Sequence, residues 1–142
     1  MGTSKATAQW EGNIKAGKGM MKPAHASEIP FSLGTRFEGQ PGSNPEEVIG
    51  AALAGCFSMA LTGALGRAGV EPKMIRTSAN VTIEKDGAGF TIKSIALETE
   101  CEASGIDAAK FEEVAQETKK QCPVSKALAS VPSVTLKATL KS

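Results

Sequence analysis

The stretch from Thr77 to Lys85 alternates polar and apolar residues, with Ala79, Val81 and Ile83 on one face. Alternation with a period of two predicts a half-buried strand. Asp86-Gly87-Ala88-Gly89 supplies a hairpin turn, and Phe90 to Glu102 returns from it. On that returning strand Ile95, Leu97, Thr99 and Cys101 share the apolar face, while Glu98, Glu100 and Glu102 take the solvated one. A last clean alternation, Val134 to Leu140, predicts a final strand. Near the start, residues 5–15 partly alternate, and Gly17-Lys18-Gly19 reads as a turn. Residues 20–27 read as a second strand and Phe31 to Phe37 as a third.

Between the two sets of strands the pattern changes. Asn44 is a helix N-cap, Pro45 suits the first helical position, and Glu47 stands three residues after the cap. The helix should run to about Arg67 and stop at Gly69. A second helix, capped by Asp107, spans Ala108 to about Lys120 with Phe111, Val114 and Ala115 as its apolar stripe. Cys122-Pro123 opens a short third helix to about Ala129. Strands, helix, strands, helices, strand is the order of an α+β fold with antiparallel pairing. At 142 residues the chain reads as a single domain, 1–142.

Val48 to Gly66 carries no charge over 19 residues, the length of a membrane span. Five of those residues are Ala and four are Gly, with Ser58 and Thr62 among the rest, so partition into lipid is weak. A buried central helix is the better reading. Small residues at Gly50, Ala54 and Gly55 would let another helix approach closely.

A net charge of +1 gives no electrostatic case for nucleic acid or a lipid surface. No basic segment leads into an apolar one at the N-terminus, so no secretory signal is expected. Three cysteines, at 56, 101 and 122, argue against an extracellular disulfide framework, and a lone His25 leaves no zinc spacing. The expectation is a cytoplasmic chain that needs no metal and no bound cofactor.

The cysteines carry the chemistry. Cys56 lies inside the apolar helix, where a cysteine is ordinarily a small hydrophobe and burial raises its pKa. A reactive Cys56 needs a cation, and Arg36 is the candidate because arginine stays charged when poorly solvated. A poorly solvated arginine needs a counter-ion, which Glu46 or Glu47 could supply. Both acids also suit the first turn of a helix as dipole and capping residues. Glu46 precedes Cys56 by ten residues, about 15 Å of helical rise, so it cannot serve the thiol of its own helix. A second subunit with an antiparallel helix would solve the geometry and implies a two-fold dimer with shared sites. Cys122 falls at a helix cap, where unpaired N–H groups favour a thiolate and disulfide exchange. Cys101 reads as packing.

Five segments, in order, resemble the OsmC/Ohr family of organic hydroperoxide reductases, closest to the osmotically inducible OsmC branch. They are Trp10-Glu11-Gly12 with Gly17-Lys18-Gly19, Thr35-Arg36-Phe37-Glu38-Gly39, Asn44-Pro45-Glu46-Glu47 leading to Cys56-Phe57-Ser58-Met59-Ala60-Leu61, Gly105-Ile106-Asp107-Ala108, and Cys122-Pro123-Val124-Ser125. The resemblance covers nearly the whole chain. It implies an intertwined α+β homodimer with antiparallel sheets around a long central helix from each subunit. It implies that Cys56 is the peroxidatic cysteine, Cys122 the resolving one, Arg36 the group that holds the thiolate and Glu46 the group that orients Arg36. The implied reaction turns an organic hydroperoxide into an alcohol through a Cys56 sulfenic acid and a Cys56–Cys122 disulfide, which a dithiol of the lipoyl type reduces. Phe37, Phe57 and Met59 would line the site for an alkyl tail. A redox sensor or binding module of the same fold, with little turnover, is the alternative, and inert packing cysteines in an interaction protein are a third.

Overall fold

The computed structural model of the chain describes residues 2–142. They form two compact units, one ending at Val48 and the other running from Ile49 to Ser142.

In the first unit, β1 (Ala6–Glu11), β2 (Lys18–Pro23) and β3 (Ile29–Phe31) form an antiparallel sheet in that order. Gly19 sits opposite Trp10 on one side and Phe31 on the other. A Cβ there would fall within 2.5 Å of the Phe31 ring and 2.8 Å of the Trp10 ring. Only glycine lets those two rings approach to 5.7 Å between centroids. The expected strand over Phe31–Phe37 is corrected. β3 stops at Phe31, and Leu33–Phe37 is a short helix, α1. Ser32 Oγ accepts from the Thr35 N–H at 3.2 Å, and Thr35 Oγ1 accepts from the Ser32 N–H at 2.9 Å. That reciprocal cap outweighs the strand preference of a short apolar run. The start of the next helix, α2 (Pro45–Arg67), is as expected, because Asn44 Oδ1 accepts from the Glu47 N–H at 2.8 Å.

In the second unit α2 runs on to Arg67. Gly69, at φ +79°, turns the chain, and the Val70 N–H closes back on the Leu65 carbonyl at 2.9 Å. Leu53, Phe57, Leu61 and Leu65, each one turn from the next, are fully buried. Each such side chain contributes about 1.5–3 kcal/mol by leaving water. The stripe packs in a common core with β4 (Met74–Asp86) and β5 (Gly89–Glu102). These strands make the expected hairpin, with Asp86 opposite Gly89 and Gly87 at φ +63°. Ile95, Leu97, Thr99 and Cys101 do face inward. Gly50 has a different role from the one expected. Its missing side chain admits β4, where an added Cβ would meet Val81 at 3.2 Å.

The helices α3 (Ala108–Gln121) and α4 (Pro123–Ala127) follow, and β6 (Ser133–Lys141) closes the sheet. Its pairing is a second correction. β6 lies parallel to β5, with Ser94 opposite Ser133 and Glu102 opposite Lys141, so the sheet β4-β5-β6 is mixed and not antiparallel throughout. A parallel pair needs a long return, and α3 with α4 provides it.

The other face of α2 stays open. Ala51, Ala52, Gly55, Thr62, Gly63 and Gly66 are exposed, and Met59 is 79% exposed. The helix is long and apolar enough to cross a membrane, and 28% of its most apolar window is buried.

Candidate active site

Cys56 is half-buried on α2, and Cys122, 1% exposed, is the residue between α3 and α4. Cys122 ends one helix, its N–H bonded to the Thr118 carbonyl at 3.1 Å, and starts the next with Pro123 at the first position. The break between the two helices turns its sulfur toward α2. The two free thiols stand 2.7 Å apart, at hydrogen-bond contact, although 66 positions separate them in the chain.

Their environments split their pKa values. Burial pushes the Cys122 thiol up. Hydrogen bonding from Cys56, the Ser125 N–H, the Ser125 hydroxyl and the Val124 N–H outweighs that, and the net shift is down. Burial pushes Cys56 up, its hydrogen bond to Cys122 pushes it further, and the Val124 N–H pulls it partly back. The pair therefore loses its protons in two steps, one below the ordinary thiol range and one above it. Ser125 and Val124 did not figure among the expected site residues. The signal for them is the Cys-Pro-Val-Ser order itself, since the residue three after a cap turns its N–H back toward the cap. The Ser125 hydroxyl is buried and has no other partner among the described residues. Cys101 is fully buried on β5, and burial alone raises its thiol, as suits a packing residue. His25 is exposed in the turn after β2.

In the first unit Arg36, at the end of α1, meets Glu46, in the first turn of α2. Its Nε donates to the two carboxylate oxygens at 3.0 and 3.1 Å, and its Nη2 donates to Oε1 at 2.5 Å. The Arg36 guanidinium also lies 4.9 Å from the centre of the Phe37 ring. Of the two acids it is thus Glu46 that pairs with Arg36. Glu47 accepts instead from Ser43 Oγ at 2.9 Å. Glu46 is 6% exposed, so the arginine is its charge partner out of water. Among the expected lining residues Phe57 belongs to the core stripe and offers no surface, which corrects that assignment. Phe37 and Met59 are exposed.

The family model for OsmC-like protein matches residues 37–137. Among characterised sequences, the Peroxiredoxin OsmC of Escherichia coli (strain K12) is 48% identical over 140 residues, covering 97% of this chain and 96% of that one. The chain belongs to the OsmC-like family. Its α+β fold is shared with the Bacillus subtilis organic hydroperoxide resistance protein OhrB, at a TM-score of 0.70 and 26% identity, with 98% of each chain covered. An OsmC-like protein from Mycoplasma pneumoniae has the same fold at a TM-score of 0.79 and 14% identity, over 99% of each chain.

Proposed function

We propose that this OsmC-like protein is a thiol peroxidase that reduces organic hydroperoxides to alcohols, with Cys56 and Cys122 as its working pair. The observation that carries the reading is the meeting of two free thiols, one shifted down and one up, at the junction of α2 with the α3–α4 break. Membership of a family whose named members include a peroxiredoxin and an organic hydroperoxide resistance protein supports it.

In the first step the Cys56 thiolate attacks the distal oxygen of ROOH. The O–O bond breaks, RO⁻ takes a proton and leaves as ROH, and sulfur keeps the hydroxyl as a sulfenic acid. The Cys122 thiolate then attacks the Cys56 sulfur, the S–O bond breaks, and hydroxide leaves as water with one proton. The sulfurs already lie at contact, so little motion is needed. An external dithiol of the lipoyl type attacks the disulfide, and a second exchange returns two protein thiols and an oxidised donor. A groove of about 850 Å³ between α2 and α3 is bordered by Ala60, one turn beyond Cys56, and by Gln121, beside Cys122.

Within one chain the lower thiol is Cys122. Arg36 of a second copy, oriented by Glu46, would move the negative charge onto Cys56. The open small-residue face of α2 suits a second α2, so we assign the working form as a cytoplasmic homodimer. Cys56→Ser should abolish turnover of cumene hydroperoxide with a lipoyl donor. Cys122→Ser should give one turnover and then a sulfenic acid that dimedone traps. Multiple turnover by the Cys56 variant would end this reading. Rapid disulfide formation with no steady-state turnover would favour a redox sensor. Sedimentation of the wild type as a monomer would remove the shared-site arrangement.

A further inference from the structure

Ser58, two residues past Cys56, enters neither thiol's chemistry, yet its hydroxyl is bonded both to its own helix and to the sheet. Its Oγ lies 2.8 Å from the Ala54 carbonyl and 2.7 Å from Thr77 Oγ1 on β4. Thr77 Oγ1 lies 2.9 Å from Thr99 Oγ1 on β5, and Thr99 Oγ1 lies 3.4 Å from the Arg76 carbonyl. Thr99 is 3% exposed. Three hydroxyls on three elements thus form one chain with a carbonyl at each end.

The proton count sets how the chain works. Three hydroxyl protons serve four contacts, so three contacts are made at any instant and the fourth is not. When all three protons run the same way, toward the Ala54 carbonyl or toward the Arg76 carbonyl, both hydroxyl–hydroxyl links are made and each strengthens the next. Those two arrangements tie helix to sheet through Ser58 and Thr77.

Helical geometry gives that link a purpose. Residues 56 and 58 stand about 200° apart around the helix, with Phe57 between them. Phe57 lies in the buried stripe, so Cys56 and Ser58 occupy its two shoulders. One shoulder is tied to β4 and the other presents a sulfur to Cys122. Packing of Leu and Phe resists separation of helix and sheet but is nearly indifferent to a small roll, because apolar contact carries no direction. A hydrogen bond does carry direction.

We propose that Ser58, Thr77 and Thr99 are positioning residues that fix the roll of α2 and so hold Cys56 at contact with Cys122. This rests on the reading of Cys56 and Cys122 as the working pair. The test measures the effective concentration of one thiol toward the other, by equilibrating the full-length protein in glutathione redox buffers without any peroxide. Thr77→Val removes the central hydroxyl and keeps the branched shape. Ser58→Ala removes the helix end of the chain at a half-buried site, and Thr77→Ser restores the hydroxyl. Effective concentration should fall about tenfold in Thr77→Val and in Ser58→Ala, and stay within twofold of wild type in Thr77→Ser. Urea midpoints measured alongside separate loss of alignment from loss of stability. Lowered midpoints with an unchanged effective concentration in both hydroxyl-deleted proteins would overturn the proposal. A wild type that forms the disulfide but fails to turn over hydroperoxide would instead overturn the peroxidase reading and leave this one standing.

Discussion

Replacing Glu46 by glutamine isolates the charge in the Arg36 pair while keeping the side chain's shape. Glu46 has a side-chain exposure of 8%, against 36% for Arg36, so half of the pair is out of water and half is not. Breaking a fully buried pair costs about 3–5 kcal/mol, and an exposed pair is worth about 0–1 kcal/mol. The carbonyl of the introduced amide would still accept from the guanidinium, although a neutral acceptor holds it about half as well as a carboxylate. These bounds place the loss at about 1–2 kcal/mol, or roughly 3–6 °C in Tm for a chain of this size. On the proposed mechanism activity should fall as well, because an arginine held by one weak bond would no longer point where the Cys56 thiolate of a second copy needs it. We expect kcat/KM for cumene hydroperoxide to fall about tenfold. Glu47→Gln is the matched control. Among the described residues the Glu47 carboxylate holds only Ser43, so stability should move by no more than about 0.5 kcal/mol and kinetics should not change. Urea unfolding of the reduced proteins and steady-state kinetics under a lipoyl donor decide the matter. A Glu46→Gln protein within about 0.3 kcal/mol and twofold of wild type would refute the reasoning.

The thiols make two further outcomes measurable. Between the depressed Cys122 value and the ordinary thiol pKa of about 8.5, the folded chain has released a proton that the unfolded chain still holds, so stability rises with pH. Above that point the unfolded chain releases protons that the raised Cys56 and Cys101 retain, and stability falls. Reduced protein should therefore unfold at the highest urea concentration near pH ~8.5. The variant that loses the rising limb identifies the depressed thiol, Cys122→Ser where the pair titrates as it does within one chain and Cys56→Ser where Arg36 of a second copy has moved the charge, and a wild-type profile without a maximum contradicts both. Oxidation should also stabilise the fold, because a Cys56–Cys122 bond closes a loop spanning 66 positions. The chain-entropy relation gives about 4 kcal/mol, read as a shift of the urea midpoint between oxidised and reduced samples, and equal midpoints would exclude it.

Much of this architecture is legible in the amino-acid order. Asn44-Pro45 sets the start of α2, and Asp86-Gly87-Ala88-Gly89 sets the β4–β5 turn, because both rest on local backbone chemistry. The inward set Ile95, Leu97, Thr99 and Cys101 is legible from alternation alone. α1 is not, since its cap uses Thr35 where a glutamate is the usual sign, within a run of five helical residues. The direction of β6 is not legible either, because alternation looks the same read from either end. α2 hides its buried stripe for a related reason: both of its faces are apolar, and only the sheet decides which one is covered. At the candidate site the thiols announce themselves by type and Arg36 by charge, whereas charge alone leaves Glu46 and Glu47 level as its partner and only the fold separates them. The Ser58–Thr77–Thr99 chain spans residues 19 and 22 positions apart, and no periodicity links them.

The parallel seam between β5 and β6 also has a temporal side. Residue 122 rides on a strap anchored at Glu102 and again at Ser133. Until the last strand docks, that strap is a slack polymer, and the meeting of sulfurs is a random encounter across a long loop. On the proposed mechanism, a newly made chain would become competent for redox cycling only as its final strand zips into place, and early oxidation on the way to the native state would strike lone thiols with no neighbour to rescue them.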